Sequence, residues 1–465
     1  MFKDKRPGKW VLLGALLVII LIGLIVFFGM RAQAADKFLP VKEVTTPGGI
    51  SLWVVEDHTL PVISMDFLFL DSGTALDPDD KQGLARLLSN TMDEGAGDLD
   101  SQAFQKALSD NSITLMFNAG RDTFGGELKT LTRNSTKAFE LLGLAMNAPR
   151  FDEEAVNRMR DGNLARIKSS LSEPDWMAAR LLNDRAFESH PYGKNSGGTL
   201  SSLGKITPQD LRDFKTTYLT RDRLLITIVG DVDIKNIGAT IDSIFGKLPA
   251  KGPEKTVPDT TITNAGKVYL YEQAIPQTMV EIMLPAFDSK DKDYFAQQVL
   301  NYIYGGGGFG SRLMEEVREK NGLTYGIYSS VLDLRHGDAL SISTSTKNGS
   351  VRQVLDIVKA EMLRLQNEPV SAKELDDAKS YLIGSMPLSL SSSDQISGML
   401  LSIRARGLPI DYLDTLAQNI RAVTPQDLQR VAKRILKPEQ AVTILVGKPE
   451  SIADAQIVKE LPNVQ

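Results

Sequence analysis

Apolar positions along the chain form one uninterrupted run near the N-terminus and a series of short segments further on. Residues 10–30 read WVLLGALLVIILIGLIVFFGM and carry no charge. Later apolar segments, such as 62–70 (VISMDFLFL) and 279–284 (MVEIML), are each followed by an Asp-rich loop and a long stretch with helical periodicity. Short apolar runs of this kind predict strands, and the periodic stretches predict amphipathic helices. The pattern therefore predicts a targeting segment followed by a body that mixes strands with helices.

The N-terminal run has two interpretations, and both export the rest of the chain. Four basic residues precede it, and the following Ala32-Gln33-Ala34 matches a signal-peptidase site. The run is also long enough to span a bilayer. Residues 1–34 are accordingly predicted to be either a cleaved signal peptide or a retained anchor in the inner membrane. Because the positive charges come first, the body is expected in the periplasm in both cases.

The body contains a two-fold repeat. Thr207-Pro208-Gln209-Asp210-Leu211 recurs 217 residues later as Thr424-Pro425-Gln426-Asp427-Leu428. In each copy a capping Thr, a Pro in the first helical position and an Asp in the first turn predict the start of a helix. An apolar strand then ends in a glycine 23 residues after each Thr, at Gly230 and at Gly447. The repeat predicts a duplicated structural unit.

The predicted fold class is α+β, with two homologous lobes at 40–250 and 267–450. The polar, proline-containing segment 251–266 is interpreted as a linker. Helical patterns of the first lobe cluster between its strands, at about 80–94, 101–110, 134–147, 152–171 and 174–188. This grouping predicts a mainly antiparallel sheet with helices on one face, not a regular alternation of strands and helices.

Composition restricts the chemistry that this fold can perform. The 465 residues include no Cys and three His, which are His58, His190 and His336. Thiolate metal sites and Cys nucleophiles are therefore excluded, and little material remains for a zinc site or a general base. Each His is expected to be structural or solvated. The net charge of −5 provides no basic surface for nucleic acid.

The glycine-rich segment 304–310 (YGGGGFG) permits two interpretations. It follows a helical pattern and not a strand, so a dinucleotide-binding turn is not predicted there. It is either a flexible turn between helices or a loop whose backbone contacts a ligand. No G-x-S-x-G motif accompanies it, so a serine nucleophile is not predicted either.

Arg318 and Tyr325 form a candidate binding pair just after the glycine-rich segment. A helical stretch at 312–320 ends at Asn321-Gly322, and a strand is predicted at 323–332, so the two side chains can converge. A guanidinium and a phenol are both hydrogen-bond donors, which could hold a peptide carbonyl or a developing oxyanion. The alternative is a surface arginine stacked on a strand tyrosine.

The run from Gly305 to Ser330 resembles the C-terminal lobe of the pitrilysin/insulinase family of zinc peptidases, the inverzincins. Segments 71–75 (DSGTA), 190–193 (HPYG) and 407–412 (GLPIDY) also lie where that family has comparable ones, so the resemblance covers about 40–450. It implies duplicated α+β lobes. It also implies a substrate-binding set made of Arg318, Tyr325, Gly305, Gly306, Gly307 and Gly308.

The chain departs from this family at the metal site. Active members carry H-x-x-E-H on the first long helix of the first lobe, where two His bind zinc and the Glu activates water. Arg86, Ser89 and Asn90 stand at those positions here. The stretch 162–171, where the third ligand is expected, has no carboxylate and contains Arg166 and Lys168. No metal and no catalytic residue is therefore predicted in this chain.

The resemblance implies two functions that remain open. The first is a non-catalytic subunit of a heterodimeric zinc peptidase in the bacterial envelope, inactive alone, which positions a peptide for a partner that carries H-x-x-E-H and the zinc. The second is a structural or assembly protein that keeps the fold without a role in proteolysis. An autonomous peptidase without zinc is poorly supported, because no other nucleophile or base is visible. A retained anchor would add the membrane as a partner.

Overall fold

The computed structural model describes residues 37–254 and 257–465. The predicted signal peptide or anchor at 1–34 lies outside these residues. Within the described ranges, no helix combines the length and the apolar character needed to cross a membrane.

Each lobe is built on a six-stranded sheet. The first sheet has the order β1-β2-β6-β3-β5-β4 and the second β12-β7-β11-β8-β10-β9. Most neighbours are antiparallel, and the parallel pairs are β2 with β6 and β7 with both β11 and β12. The strands are Lys42–Thr45 (β1), Ser51–Glu56 (β2), Val62–Leu70 (β3), Thr114–Ala119 (β4), Thr123–Leu131 (β5), Leu224–Gly230 (β6), Val268–Glu272 (β7), Gln277–Pro285 (β8), Ile327–Leu332 (β9), Ala339–Lys347 (β10), Val442–Gly447 (β11) and Gln456–Val458 (β12). The predicted α+β class is confirmed.

The α-helices lie mostly close to the predicted bounds. They are Leu84–Ser89 (α1), Ser101–Asp110 (α2), Ser135–Asn147 (α3), Glu153–Ser170 (α4), Pro174–Ala186 (α5), Pro208–Tyr218 (α6), Ile237–Phe245 (α7), Tyr294–Asn301 (α8), Val351–Asn367 (α9), Ala372–Ser385 (α10), Ser393–Ala405 (α11), Tyr412–Ala422 (α12) and Pro425–Ile435 (α13). Helix α1 is shorter than the predicted 80–94, because Gly83 takes a left-handed conformation with φ 89° just before it.

The repeated T-P-Q-D-L segments start helices α6 and α13, as predicted. Both carry a complete capping box, in which the Thr hydroxyl accepts from the Asp amide and the Asp carboxylate accepts from the Thr amide. The glycines that end β6 and β11 are required for the same reason. Gly230 and Gly447 have φ of 127° and 153°, and a Cβ there would collide with Val62 and Thr278 of the neighbouring strand.

Each lobe contributes one helix that packs on the sheet of the other lobe, and these are called the exchanged helices below. Helix α5 of the first lobe packs on β8 and β11 of the second sheet, and α11 of the second lobe packs on β3 and β6 of the first. Strand β11 shows the consequence, because Val442, Ile444 and Val446 join the apolar cluster of the first lobe whereas Leu445 joins that of the second. Helices were predicted on one face only; the other lobe supplies the cover for the second face.

Each sheet carries an acidic residue under the exchanged helix. Asp66 on β3 and Glu281 on β8 occupy comparable positions of the two lobes. Burial raises the pKa of Asp66 to about 6, with the nearby carboxylates of Glu127 and Asp394 adding to the effect. Burial likewise raises the pKa of Glu281 to about 7, and the Asp175 charge on α5 adds to it.

The predicted linker binds both lobes along its course. The Thr263 amide donates to the Ala186 carbonyl at the end of α5 (2.8 Å), and the Thr260 amide donates to the His336 carbonyl in the second lobe (2.7 Å). The side chain of Val257 is buried. The segment therefore lies against the protein instead of extending into solvent.

Replacing Leu181 with Ala should destabilise the protein strongly, because this fully buried side chain of α5 lies in the apolar cluster that joins the lobes. Loss of such a side chain typically costs about 2–5 kcal/mol of unfolding free energy. The control is Leu363→Ala on α9, where the side chain is 40% exposed and a change of about 0.5 kcal/mol or less is expected. Equal unfolding curves for the two variants would contradict the interlobe role of α5.

The two buried acids should make stability fall as pH rises. A folded-state pKa above the unfolded value of about 4 means that the folded chain holds more protons, so their contribution is lost between about pH 4 and pH 7. Asp66→Asn and Glu281→Gln should therefore each stabilise the protein at pH 8, by about 1–3 kcal/mol, and much less at pH 4. The exposed Glu254→Gln is the control. Thermal unfolding at both pH values tests this, and a gain independent of pH would contradict it.

Candidate functional site

The glycine-rich turn is flanked by two π-helical segments. The first, Tyr302–Gly306, follows α8, and the second, Met314–Lys320, replaces the α-helix predicted at 312–320. A short 3₁₀ turn at Gly308–Gly310 lies between them. Segments of π-helix are rare and occur frequently at functional sites.

The four glycines predicted to bind substrate are not equivalent. A Cβ at Gly305 would lie 2.6 Å from Ser329 Oγ on β9, and Cβ atoms at Gly306 and Gly307 would lie 2.7 Å from Asn301 and from Tyr302. These three glycines thus allow the turn to pack closely against its neighbours, and Gly305 is buried. Gly308, with φ 56°, has open space around it. Substrate contact by this segment stays a prediction, with its best opportunity at Gly306–Gly308.

Arg318 and Tyr325 come together as the sequence predicted, and a third residue completes the arrangement. The Arg318 guanidinium carbon lies 5.3 Å from the Tyr325 ring centroid and 4.5 Å from that of Phe309 in the glycine-rich turn. Both rings are mostly in solvent, with Tyr325 87% and Phe309 70% exposed. This aromatic–arginine stack, defined as Phe309, Arg318 and Tyr325, links the turn to the predicted pair by cation–π contacts.

Tyr325 lies before β9 and not inside it, since the strand begins at Ile327 instead of the predicted 323. The preceding Thr324 explains the difference. Its hydroxyl donates to the Ser345 carbonyl on β10 (2.7 Å) and accepts from the Gly326 amide (3.2 Å). These side-chain bonds hold the segment in a turn. The Tyr325 ring is therefore presented from a fixed backbone.

Arg312 connects the start of the second π-helix to helix α10. Its guanidinium donates to both carboxylate oxygens of Glu374 on α10, at 2.7 and 2.9 Å, in the bidentate geometry that gives arginine pairs their strength. Arg312 lies two residues before the segment Met314–Lys320, which carries Arg318. This pair was not predicted, because its two members are 62 residues apart.

The position of the family's zinc site is occupied by arginine and asparagine. Arg86 and Asn90 are four residues apart at α1, and Asn163 and Arg166 are three apart on α4, so each pair shares a helix face. The side-chain amide nitrogen of Asn163 donates to Asn90 Oδ1 (3.0 Å), and the Arg166 guanidinium donates to Asn163 Oδ1 (3.3 Å). Ser89 instead donates to the Arg86 carbonyl at 2.8 Å.

The arginine–asparagine cluster, defined as Arg86, Asn90, Asn163 and Arg166, lacks the ligands that zinc requires. Guanidinium groups offer no lone pair to a metal, and none of the four supplies a carboxylate or an imidazole. Burial and the neighbouring Arg166 charge lower the pKa of Arg86. Across residues 37–254 and 257–465, no group of three or more His, Asp or Glu side chains is placed to hold a metal ion. Sequence reasoning identified Arg86, Asn90 and Arg166 but missed Asn163.

The three histidines occupy structural or solvated positions, in line with the expectation. His58 is exposed and lies 2.6 Å from Asp231, whose hydrogen bond raises the pKa of the imidazole. His190 accepts from the Tyr192 amide (3.2 Å), while its other ring nitrogen lies 2.8 Å from the Pro258 carbonyl.

His336 belongs to an interlobe network that the sequence did not reveal. The Tyr192 hydroxyl donates to Asp122 (2.7 Å) and accepts from the His336 amide (3.0 Å). The neighbouring Arg335 donates to Asp71 at 2.7 Å. The motifs DSGTA and HPYG, which carried part of the family resemblance, therefore meet the 335–336 hairpin of the second lobe.

Two sequence profiles match the chain. The profile described as Insulinase (Peptidase family M16) matches residues 54–199, and the one described as Peptidase M16 inactive domain matches 205–382. Together they cover more than half of the chain.

Relatives and solved structures agree with these profiles. A Helicobacter pylori protein named non-peptidase homolog YmxG is 27% identical over 90% of this chain and 94% of its own length. A structure described as a peptidase M16 inactive domain from Pseudomonas fluorescens superposes with a TM-score of 0.83 at 26% identity, over 91% of this chain and all of the other. A chain of Complex III2 from Candida albicans shares the fold, with a TM-score of 0.74 at 16% identity over 89% of this chain and 97% of that one.

The wild-type chain should bind no stoichiometric zinc, because the arginine–asparagine cluster lacks ligands and carries positive charge. The triple variant R86H/N90H/N163E should gain about one zinc ion per chain, since it places two imidazoles at i and i+4 opposite a carboxylate. Equilibrium dialysis followed by metal analysis measures this. The variant R86A/N90A/N163A removes the same side chains without adding ligands and should stay empty. One zinc per wild-type chain would contradict the prediction.

Proposed function

Because the chain belongs to peptidase family M16, we propose that it is the non-catalytic subunit of a heterodimeric zinc peptidase in the bacterial envelope. In this role it binds a peptide and positions it for a partner subunit that carries H-x-x-E-H. The partner supplies the zinc, which polarises the scissile carbonyl and lowers the pKa of the attacking water. This chain supplies groups that hold the peptide.

The part of this proposal that has direct support is the lack of catalytic residues in this chain. A profile described as inactive matches residues 205–382, and the Helicobacter pylori relative is named a non-peptidase homolog. The chain is thus an M16-family protein of the inactive type. The heterodimer, the substrate and the location in the envelope belong to the proposal.

One contrast between the lobes carries the proposal. The metal position of the first lobe holds Arg86 and Asn90, whereas the second lobe keeps Arg318 and Tyr325 stacked and facing solvent. A protein with a purely structural role has no evident use for two largely exposed aromatic rings around an arginine. Large exposed apolar groups mark interaction sites, and Tyr and Arg are enriched where binding energy is concentrated.

The stack has suitable chemistry for an extended peptide. The Tyr325 hydroxyl and the Arg318 guanidinium can donate to a backbone carbonyl, and the faces of Phe309 and Tyr325 can cover apolar side chains. Arg318 Nη1 lies 3.1 Å from Glu319 Oε1, so this carboxylate orients the guanidinium from one side. Because the hydrogen bonds go to the backbone of the peptide, they suit a subunit that binds peptides of varied sequence.

Free sheet edges offer a way to align the peptide. Strand β4 lies at one edge of the first sheet and β9 at one edge of the second, so each has a row of backbone groups that no strand of the described residues pairs with. A bound peptide can add to such an edge as a further strand. Strand β9 begins two residues after Tyr325, which places the stack next to one of these edges.

Export of the chain remains part of the proposal and depends on residues 1–34. Cleavage would release the two lobes into the periplasm, and retention would hold them at the inner membrane. The proposed partner must then be exported too.

The alternative, a structural or assembly role without proteolysis, is favoured by one observation. The fold is shared with a chain of Complex III2 from Candida albicans. Isolation of this chain in a stable membrane assembly that contains no peptidase, together with intact proteolysis in its absence, would support this alternative.

Substitutions in the stack should lower peptide hydrolysis by the complex of this chain with its H-x-x-E-H partner. Arg318→Ala removes charge-assisted hydrogen bonds worth about 1.5–3 kcal/mol, so kcat/KM should fall about 10- to 100-fold. Tyr325→Phe removes one neutral hydrogen bond, so a loss of about fivefold is expected. The measurement is cleavage of a quenched-fluorescent peptide by the co-purified complex.

Matched controls for this experiment lie in the same lobe. Arg352→Ala removes an exposed arginine on α9, and Tyr381→Phe removes the hydroxyl of another exposed tyrosine. Both should leave hydrolysis unchanged. If Arg318→Ala and Tyr325→Phe also hydrolyse the peptide at the wild-type rate, the assigned role is wrong.

A further inference from the structure

Some arginines of the first lobe are paired with carboxylates and others are not. Arg158 pairs with Glu94, and Arg150 lies 2.6 Å from Asp152. By contrast, no carboxylate of the described residues forms an ion pair with Arg86 or Arg166. Among the described residues, burial and then the like charge of Arg166 lower the pKa of Arg86.

The unused hydrogen-bond donors of the arginine–asparagine cluster have a common location. Arg86 Nε is buried and has no partner among the described residues. Asn163 uses its amide nitrogen on Asn90 Oδ1 and its oxygen on Arg166, which leaves the Asn90 amide nitrogen as a donor. The two unused donor groups, Arg86 Nε and the Asn90 amide nitrogen, therefore belong to residues one turn apart on α1, and Asn90 contacts Asn163 of α4.

Arg86 is partly buried, and its charge is unfavourable there without a counterion. Desolvation penalises this charge, and repulsion from the neighbouring, exposed Arg166 adds to the penalty. An anion between them would remove the repulsion, and arginine holds carboxylates in bidentate geometry. The cluster thus has the electrostatic character opposite to that of a metal site.

The cluster lies near a free sheet edge. Helix α1 packs against β4, whose side chains at Thr114, Met116 and Asn118 are exposed. A peptide added to the edge of β4 passes close to α1, and its carboxylates come within reach of long arginine side chains.

We propose that Arg86, Asn90 and Arg166 form a carboxylate-binding site, held in place by Asn163, that takes a C-terminal or side-chain carboxylate of the bound peptide. This inference rests on the proposed function, because it assumes a peptide in the neighbourhood of β4. It adds a preference in the substrate: a peptide with a carboxylate at this position binds more tightly than a neutral one.

The test uses three decapeptides of otherwise equal sequence, each labelled with an uncharged BODIPY dye, and fluorescence anisotropy with the full chain. The first has a free C-terminus and no acidic residue, the second is amidated and contains one Glu, and the third is amidated and neutral. At least one carboxylate peptide should bind about tenfold more tightly than the neutral one, and salt should weaken this preference. Comparison of the first two peptides identifies the source of the carboxylate.

Arg86→Gln and Arg166→Gln should each abolish the tenfold preference. Lys168→Gln is the matched control, because it removes a positive charge from the same helix two residues away, on a different face. Arg166 is exposed, so its substitution keeps the fold even if that of Arg86 does not, and thermal unfolding checks both variants. The proposal is overturned if all three peptides bind equally, if none binds, if both Gln variants keep the preference, or if Lys168→Gln loses it.

Failure of this inference can be told apart from failure of the proposed function. If the neutral peptide binds and Arg318→Ala weakens it, while no carboxylate preference exists, only the carboxylate site is wrong. If hydrolysis by the complex is indifferent to Arg318→Ala and Tyr325→Phe, the proposed function fails, whatever the anisotropy shows for Arg86.

Discussion

The central strands of these lobes, such as β6 and β11, have two faces that must be covered, and the protein meets this constraint by exchanging helices. Side chains alternate across a strand, so β11 sends Val442, Ile444 and Val446 to one side and Leu445 to the other. One side packs on the lobe's own helices, and the other accepts α5 from the first lobe. The lobes cannot separate without exposing these apolar side chains. The fixed relation between the aromatic–arginine stack and the arginine–asparagine cluster follows from this.

The two exchanged contacts differ in character. At α5 the contact is mainly apolar, although Asp175 lies near Glu281, whereas α11 binds the first sheet through polar groups, with Ser397 and Thr227 hydroxyls 3.1 Å apart and Arg404 donating to the Ile226 carbonyl at 2.8 Å. A cavity of about 640 Å³ remains between α11, β3 and the 333–335 segment. Its charged lining includes Asp333, which pairs with Arg406 at 2.8 Å. The interface therefore combines a mainly apolar contact at α5 with a polar contact at α11 that borders the cavity.

Local features of the sequence predicted most of the fold. The T-P-Q-D-L caps, the strand glycines and the apolar run of β3 each depend on a few neighbouring residues, and all of them appear as predicted. Arg318 with Tyr325 belongs to the same class, because seven residues and one turn separate them.

Contacts between distant residues were not predictable in this way. Asn163 and Asn90 are 73 residues apart, Arg312 and Glu374 are 62, and Tyr192 and His336 are 144. No periodicity connects such pairs, since they depend on how helices and lobes dock. The π-helical geometry around the glycine-rich turn was missed for a related reason. Its sequence is compatible with an α-helix, and packing against Ser329 and Asn301 selects the wider turn.

The Thr324 hydrogen bonds have a thermodynamic consequence. A binding residue in a flexible loop loses backbone freedom when it meets its ligand, and this loss weakens affinity. The backbone at Tyr325 is fixed in the free chain by Thr324, which bonds to Ser345 and to Gly326. The phenol ring has only two side-chain torsions left to restrict. In the proposed function, a peptide that contacts Tyr325 meets a backbone that is already ordered, so less of the interaction energy is lost to ordering.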